Sequence, residues 1–232
     1  MLEVRGLRSF YGRAQILDGV DLDVGRGEAV ALLGRNGAGK STLLKSIIGF
    51  VRERSGSIRF EGHELLGLPA HRVNRLGIGY VPEERRIFTN LTVRENLEVG
   101  RRARRGEAGW PLERILDVFP NLAGMLERSA AQMSGGEQQM LTVARTLMGN
   151  PALVLLDEPS EGLAPIIVKQ MADMVKRLHG AGVSVLLSEQ NMHFAGAVCS
   201  RAYIIERGVI RFAGAMRQVL DDAALREAYL AV

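Results

Sequence analysis

Apolar and polar residues alternate near the start of this chain. The alternation is clear in residues 2–10 (LEVRGLRSF) and 16–24 (ILDGVDLDV), and it predicts strands with one buried and one solvated face. Residues 57–62 predict a further strand. We therefore expect an antiparallel β sheet at the front of the chain.

Further along, the apolar residues form unbroken runs at 28–33 (EAVALL), 153–158 (LVLLDE) and 183–191 (VSVLLSEQN). Such short runs are typical of strands that are covered on both faces. Apolar residues at helical spacing follow in 43–48 and 138–147. This order predicts a single α/β domain over residues 1–232, with a mostly parallel sheet wrapped by helices.

Residues from about 84 to 135 break this alternation of strands and helices. They contain the helical segments TVRENLEVG (92–100), PLERILDVF (111–119) and NLAGMLERS (121–129), separated by glycine and proline. We predict that residues 84–135 form a helical subdomain inserted in the catalytic core.

A glycine-rich segment, GRNGAGKST, lies between the run at 28–33 and the helical pattern at 43–48. A phosphate-binding loop requires this strand-to-helix context. Its glycines let the backbone approach phosphates, and the amides at a helix start point at the anion. Lys40 would reach the β- and γ-phosphates, and the Ser41 hydroxyl would ligate Mg²⁺. The candidate nucleotide-binding residues are Gly34, Arg35, Asn36, Gly37, Ala38, Gly39, Lys40, Ser41 and Thr42.

Two carboxylates end the run at 153–158. The carboxyl end of a buried parallel strand opens on a ligand crevice, so Asp157 is predicted to hold Mg²⁺ and Glu158 to polarise the attacking water. Acids at a strand end also cap helices or face solvent. The phosphate loop upstream favours the catalytic interpretation.

The segment MSGGE contains a capping box, Ser134 and Glu137, at the start of a predicted helix. Capping does not account for Gly135 and Gly136, because glycine in a helix costs up to about 1 kcal/mol relative to alanine. A serine hydroxyl and bare amides at a helix start make an anion site. One phosphate loop already surrounds the nucleotide from one side. We therefore predict that these four residues cover the γ-phosphate of a nucleotide held by a partner.

Together these motifs resemble those of the ATP-binding cassette (ABC) family, from residue 2 to about residue 214. The resemblance implies a P-loop NTPase core with an N-terminal antiparallel subdomain and a helical insertion. It also implies ATP hydrolysis between two cassettes arranged head to tail. Tyr11 would stack on adenine, with a plain surface tyrosine as the alternative, and residues 160–165 (SEGLAP) would cross the dimer interface.

The sequence departs from the common family pattern at two positions. Glu83 stands where a glutamine usually contacts Mg²⁺; a carboxylate can replace it if Arg85 or Arg86 balances the charge. Gln190 stands where a histidine usually touches the γ-phosphate, and we assign it to the catalytic set although it cannot titrate. His193 is the alternative, or else an ordinary polar residue on the next helix.

The string VPE followed by arginine, together with SEQN, is similar to the smaller ATP-binding subunit of bacterial branched-chain amino acid importers. Relatives that serve urea and short amides share much of this pattern. The resemblance implies a second ABC ATPase subunit, either a sister cassette or an identical chain, and two membrane permease subunits. An external substrate-binding protein would act indirectly. The chain is then expected at the cytoplasmic face of the bacterial inner membrane, as a peripheral subunit.

Two other functions stay open at this point. A non-transport ABC clamp usually carries long coiled-coil insertions or tandem cassettes, which this sequence lacks. A regulatory cassette that binds ATP without turnover fits the two departures, but the intact Glu158 counts against it.

Composition agrees with a globular protein that associates with membranes through partners. No apolar run approaches the ~20 residues of a membrane span, and we see no signal-peptide core. The single cysteine, Cys199, suits a buried structural role in a reducing compartment. The net charge of +4 raises nucleic-acid binding as an alternative. We reject it, because the basic run lacks interleaved aromatics and is better explained as a solvated loop or a lipid contact. The run comprises Arg101, Arg102, Arg104 and Arg105.

Overall fold

The structure is a computed structural model that describes residues 1–102 and 109–230. Its strands are β1 (Leu2–Tyr11), β2 (Ala14–Val24), β3 (Ala29–Leu33), β4 (Glu53–Phe60), β5 (His63–Glu64), β6 (Ile78–Val81), β7 (Leu153–Asp157), β8 (Ser184–Glu189), β9 (Arg201–Glu206) and β10 (Val209–Ala215). Its α-helices are α1 (Lys40–Ile48), α2 (Ala70–Arg75), α3 (Val93–Gly100), α4 (Leu112–Val118), α5 (Pro120–Ala123), α6 (Gly135–Leu147), α7 (Pro165–Gly180), α8 (Met192–Val198), α9 (Met216–Asp221) and α10 (Ala223–Tyr229).

The predicted antiparallel sheet is present, with strand order β2-β1-β4-β5. Along β1 the buried residues Leu2, Val4 and Leu7 lie on the inner face and the polar residues between them face solvent. The alternation in the sequence is therefore the alternation of the two faces of the sheet.

The second sheet has the order β10-β9-β3-β8-β7-β6, and all its pairs are parallel except β10 with β9. Successive residues of β7 enter different cores. Val154 and Leu156 pack with residues of α6 and α7, whereas Leu153 and Leu155 pack with the antiparallel sheet and α1. The continuous apolar runs are thus strands covered on both faces, and the predicted α/β fold class is confirmed.

The register of this sheet brings four chain segments to one edge. Leu33 pairs with Glu189, Asp157 with Ser188, and Val81 with Leu156. Because the paired strands are parallel, the loops that follow β3, β6, β7 and β8 all leave at their carboxyl ends. A ligand crevice is expected at this edge of an open parallel sheet.

Between β6 and α6 the described chain is helical, with α3, α4, α5 and a 3₁₀ helix at Ala130–Gln132. The segment 121–129 is less helical than predicted, because α5 ends at Ala123 and only i→i+3 turns follow. That residues 84–135 form a separate subdomain stays a prediction.

In the basic run, Arg101 pairs with Glu98 at 2.7 Å, whereas residues 104 and 105 lie outside the described residues.

The turn between β9 and β10 connects the two sheets. Gly208 donates its amide to the carbonyl of Ala38 (2.8 Å) and accepts from the amide of Asp18 (2.9 Å). Its φ of +78° is the left-handed conformation, and a Cβ there would collide with the carbonyl oxygen of Ile16. This position requires glycine for both reasons.

Within residues 1–102 and 109–230, every helix is too short or too polar to cross a bilayer.

We predict that Gly208→Ala destabilises the protein more than Gly62→Ala does. Gly62 has a similar φ of +80° but nothing within 4 Å of an added Cβ, so it reports backbone strain alone, ~1 kcal/mol. Gly208→Ala adds an overpacking cost of about 2 kcal/mol. Urea unfolding followed by circular dichroism measures both, and equal losses would contradict the bridging role of Gly208.

Candidate active site

The loops at the carboxyl edge of the parallel sheet enclose a cleft of about 490 Å³. Its size suits a small-molecule ligand. Its walls combine one residue of β2, the phosphate-loop segment, and carboxylates from the loops after β6 and β7. The lining residues are Ile16, Asn36, Gly37, Gly39, Lys40, Ser41, Thr42, Glu83, Glu158 and Glu161. Several predicted site residues therefore share one cavity.

The start of α1 is built to receive an anion. The helix begins at Lys40 directly after Gly39, whose φ is +111°. Among the described residues no side chain caps this helix, whereas Ser134 and Thr92 cap α6 and α3. The amides of its first turn are therefore available to phosphate oxygens, which fits a bound nucleotide.

Lys40 is a nearly buried cation, 3% exposed, surrounded by oxygen atoms. Its Nζ lies 3.0 Å from Glu158 Oε1 and donates to the carbonyls of Gly34 (2.7 Å) and Arg35 (3.2 Å). A buried charge requires such partners. A phosphate group would supply equivalent oxygens in their place.

Asp157 is held by three hydroxyl groups from three elements. Ser41 Oγ (2.9 Å) and Ser188 Oγ (2.7 Å) donate to its Oδ1, and the Tyr80 hydroxyl donates to Oδ2 (2.9 Å). The predicted metal ligands Ser41 and Asp157 are thus in direct contact. Hydroxyl and carboxylate oxygens are the donors that Mg²⁺ prefers, so the pair fits this ion, with phosphates and water as its further ligands.

The two predicted catalytic residues meet above Lys40. Gln190 Nε2 donates to Glu158 Oε2 (2.7 Å) and to Asn36 Oδ1 (2.6 Å). Burial acts to raise the pKa of Glu158, but hydrogen bonds from Gln190, Glu161 and Lys40 lower it below its usual value. Glu158 also has a φ of +43°, a strained conformation of the kind that clusters at functional sites. His193, the alternative to Gln190, is exposed on α8.

Two further carboxylates face the same cleft. The hydrogen bond with Glu158 raises the pKa of Glu161 to about 7, assisted by burial and by neighbouring negative charges. Burial raises the pKa of Glu83, and the charges of Glu158 and Asp157 add to this effect. A cation such as Mg²⁺ would relieve this crowding of negative charge.

The arginines proposed to balance Glu83 are engaged elsewhere. Arg86 lies 3.6 Å from Glu84, and Arg85 donates to the carbonyl of Glu161 (3.2 Å). Within the described residues neither arginine forms an ion pair with Glu83. The lysine whose charge acts on the pKa of Glu83 is Lys45.

The segment at Ser134 contains the predicted capping box. Ser134 N donates to Glu137 Oε2 (2.7 Å), and Glu137 N donates to Ser134 Oγ (3.4 Å). Gly135 lies against the Arg85 guanidinium, and a Cβ at Gly136 would meet Ile167 of α7 at 2.9 Å. The close approaches that these glycines permit therefore occur within the chain itself. The four residues do not line the cleft, and their action on a partner's nucleotide stays a prediction.

The side chains of two predicted nucleotide-binding residues, Arg35 and Tyr11, do not line the cleft. Arg35 donates to the carbonyls of Glu227 (3.3 Å) and Ala228 (3.5 Å), so its guanidinium is directed at α10. Tyr11 is 51% exposed at the end of β1 and does not line the cleft, whereas Ile16 of β2 does. Adenine stacking by Tyr11 stays a prediction.

Sequence reasoning did not identify three residues that support the site. Tyr80 and Ser188 hold Asp157, and Glu189 accepts hydrogen bonds from the amides of Ser160 (3.0 Å) and Asn191 (3.0 Å). Burial raises the pKa of Glu189. The available signal was position, because all three lie at or near the carboxyl ends of parallel strands.

The predicted structural role of the cysteine agrees with its surroundings. Cys199 is buried, and burial raises the pKa of its thiol to about 12. A thiol with so high a pKa is a poor nucleophile.

Comparisons with known proteins agree with this geometry. The ABC transporter family profile matches residues 17–161. BraG, a high-affinity branched-chain amino acid transport ATP-binding protein of Pseudomonas aeruginosa, is 45% identical over 99% of both chains. The lipopolysaccharide export ATP-binding protein LptB of Escherichia coli is 33% identical over 99% of this chain and 96% of its own. A solved ATP-binding cassette in its ADP conformation superposes with a TM-score of 0.83 and 25% identity, over 98% of this chain and 97% of that one.

The contact between Glu161 and Glu158 predicts a pH dependence of stability in the absence of nucleotide. A carboxyl whose pKa is raised on folding, here from 4.5 to about 7, stabilises the folded state while protonated, and this stability is lost as the pH rises through that window. Glu161→Gln should therefore raise the Tm at about pH 8 and leave it unchanged near pH 4.5. Thermal unfolding across this range measures the effect. Glu84→Gln is the control, and parallel curves for wild type and Glu161→Gln would refute the interpretation.

Proposed function

Because this chain belongs to the ABC transporter family, we propose that it is the ATP-hydrolysing subunit of a bacterial importer of branched-chain amino acids. The chain is an ABC transporter ATP-binding subunit and an ATPase. The observation that carries the cargo proposal is the 45% identity to BraG over nearly the whole of both chains. The match to LptB covers a similar length, but the sequence identity is lower, at 33%.

The contacts of Lys40 support the roles proposed for the lysine and the base. Glu158 lies 3.0 Å from Lys40 and is its anionic partner. The γ-phosphate of ATP would offer Lys40 oxygen atoms in place of this contact, and the Glu158 carboxylate would then polarise the attacking water. Gln190 follows Glu158 through its 2.7 Å hydrogen bond and keeps it oriented. Phosphoryl transfer depends on such positioning more than on covalent chemistry.

Ser41 and Asp157 are the residues that would hold Mg²⁺. When bound, the ion would neutralise charge on the β- and γ-phosphate oxygens. The hydroxyl groups of Tyr80 and Ser188 fix the Asp157 carboxylate in the orientation that this contact needs. Glu83 lines the same cleft and is the candidate for a further ligand.

Hydrolysis is proposed to occur between two cassettes. The cleft of one chain offers the phosphate loop on one side only, and Ser134 to Glu137 lie outside it. In the proposed head-to-tail dimer the first turn of the partner's α6 closes the site. The partner would be a sister cassette or a second copy of this chain.

The remaining partners would be two permease subunits, with the chain as a peripheral subunit on the cytoplasmic face of the membrane. Phe50 gives the surface of the chain one contact with the site. It is 55% exposed and packs edge-on against Tyr80, with the ring centroids 5.8 Å apart. Because Tyr80 also donates to Asp157, a partner bound at Phe50 would be connected to the proposed metal ligand through one residue.

The cargo is tested by isolating the tagged chain from native membranes and identifying its companions. Two permease subunits and a second cassette, with ATP-dependent uptake of leucine or valine into vesicles, are expected. Uptake of urea or amides instead, or recovery of lipopolysaccharide-export components, would overturn the cargo. Recovery without any membrane subunit would favour a non-transport clamp.

We predict that Glu158→Gln lowers ATP turnover at least about a hundredfold while ATP still binds and a closed dimer accumulates. Glutamine keeps the shape and the contact with Gln190 but cannot act as a base. Gln190→Ala should impair hydrolysis less, because it removes only the orienting contact. Side-by-side ATPase assays measure both variants. Unchanged turnover in Glu158→Gln, or equal losses in the two, would contradict these roles.

We predict that Ser134→Arg abolishes hydrolysis while ATP affinity of the isolated monomer stays near normal. The bulky side chain would block the approach of the first turn of α6 to the partner's nucleotide. Ser134→Thr keeps the capping hydroxyl, which is worth ~1 kcal/mol, and serves as the control for helix stability. Loss of monomer ATP binding in Ser134→Arg would show that Ser134 acts within its own chain.

A further inference from the structure

Arg85 occupies a central place that the proposed chemistry does not use. It lies in the segment between β6 and α3, two residues after Glu83, and its side chain is half-buried. Its Nη2 donates to the backbone carbonyl of Glu161 (3.2 Å). Its Nη1 lies against Gly135 in the first turn of α6. One guanidinium therefore touches both segments that the proposed dimer presents to its partner.

The glycines on either side leave room for this guanidinium. A Cβ at Gly135 would collide with Arg85 Nη1, and among the described residues the one atom within 4 Å of a Cβ at Gly162 is Arg85 Nη2, at 3.4 Å. Gly136 differs, because its neighbour would be Ile167. The first glycine of the pair is thus matched to Arg85, and the second to the packing of α6 on α7.

The backbone at Arg85 is held in a strained conformation. Its φ is +47°, and its carbonyl accepts from the amide of Ile87 (2.9 Å) in a tight turn. A non-glycine residue in this region is strained and persists where the surroundings fix it. The turn directs the side chain toward Gly135 and Glu161 rather than toward Glu83.

We propose that Arg85 is a positioning residue that fastens the loop after Glu158 to the first turn of α6. The inference rests on the proposed function and deepens it. Glu161 follows Glu158 by three positions, so the tie joins the segment carrying the base to the segment that closes the partner's site. The two would then meet a partner as one preassembled surface, and closure would bring both into place together.

A double-mutant cycle tests this tie on the native complex isolated through a tag on this chain. Arg85→Ala removes the guanidinium, and Gly135→Ala displaces it. Each should lower kcat for ATP about tenfold, with KM and monomer ATP binding changed less than about twofold. Because both changes break the same contact, the double variant should also lose about tenfold, not a hundredfold.

Two matched controls and one conservative variant accompany the cycle. Gly136→Ala acts on Ile167, so its loss should multiply with that of Arg85→Ala. Arg86→Ala removes the exposed neighbour that pairs with Glu84 and should leave kcat unchanged. Arg85→Lys supplies one charged donor in place of the planar fork and should recover only part of the rate.

The outcomes separate the two proposals. If the wild-type complex does not hydrolyse ATP, the proposed function fails and the inference fails with it. If it does hydrolyse ATP but Arg85→Ala keeps full kcat, or the losses of Arg85→Ala and Gly135→Ala multiply, the tie alone is overturned. Weaker ATP binding by the Arg85→Ala monomer would also overturn it, because the role would then lie in the chain's own cleft.

Discussion

The buried ammonium group of Lys40 is the constraint on which the rest of the site depends. A cation that is 3% exposed must be surrounded by oxygen atoms, and the chain supplies them from Glu158 and two carbonyls. The predicted base is therefore also the counter-ion of the lysine. One ion pair thus fixes the loop after β7 against the phosphate-loop segment.

The parallel sheet explains why residues so distant in sequence meet around this lysine. Leu33 and Glu189 are register partners on β3 and β8, and Asp157 and Ser188 are partners on β7 and β8. A fixed register brings the phosphate-loop segment, the predicted metal ligand and the predicted base to the same edge of the sheet. The loops then need only short hydrogen bonds, such as that from Ser160 N to Glu189, to hold their final shape.

The sequence predicted those features whose signal is local. Alternation and apolar runs predicted the two sheets, and the phosphate loop and Asp157 were placed at a strand end by their own neighbours. The arginine contacts were not predictable in this way. Arg85 fills the space beside Gly135, and Arg35 faces α10 instead of the cleft. Both contacts join residues that are far apart in the chain, so no local pattern predicts them. The apolar pattern of residues 121–129 continues past Gly124, whereas helix α5 stops before it.

The Gly208 turn has a consequence for which molecules the cleft can accept. By bonding at once to Asp18 of β2 and to Ala38 in the phosphate-loop segment, Gly208 fixes the position of β2 relative to the start of α1. Ile16 of the same strand lines the cleft, so the backbone sets the distance between this wall and the first turn of α1. A ligand that touches both must match that distance before any side chain discriminates between candidates.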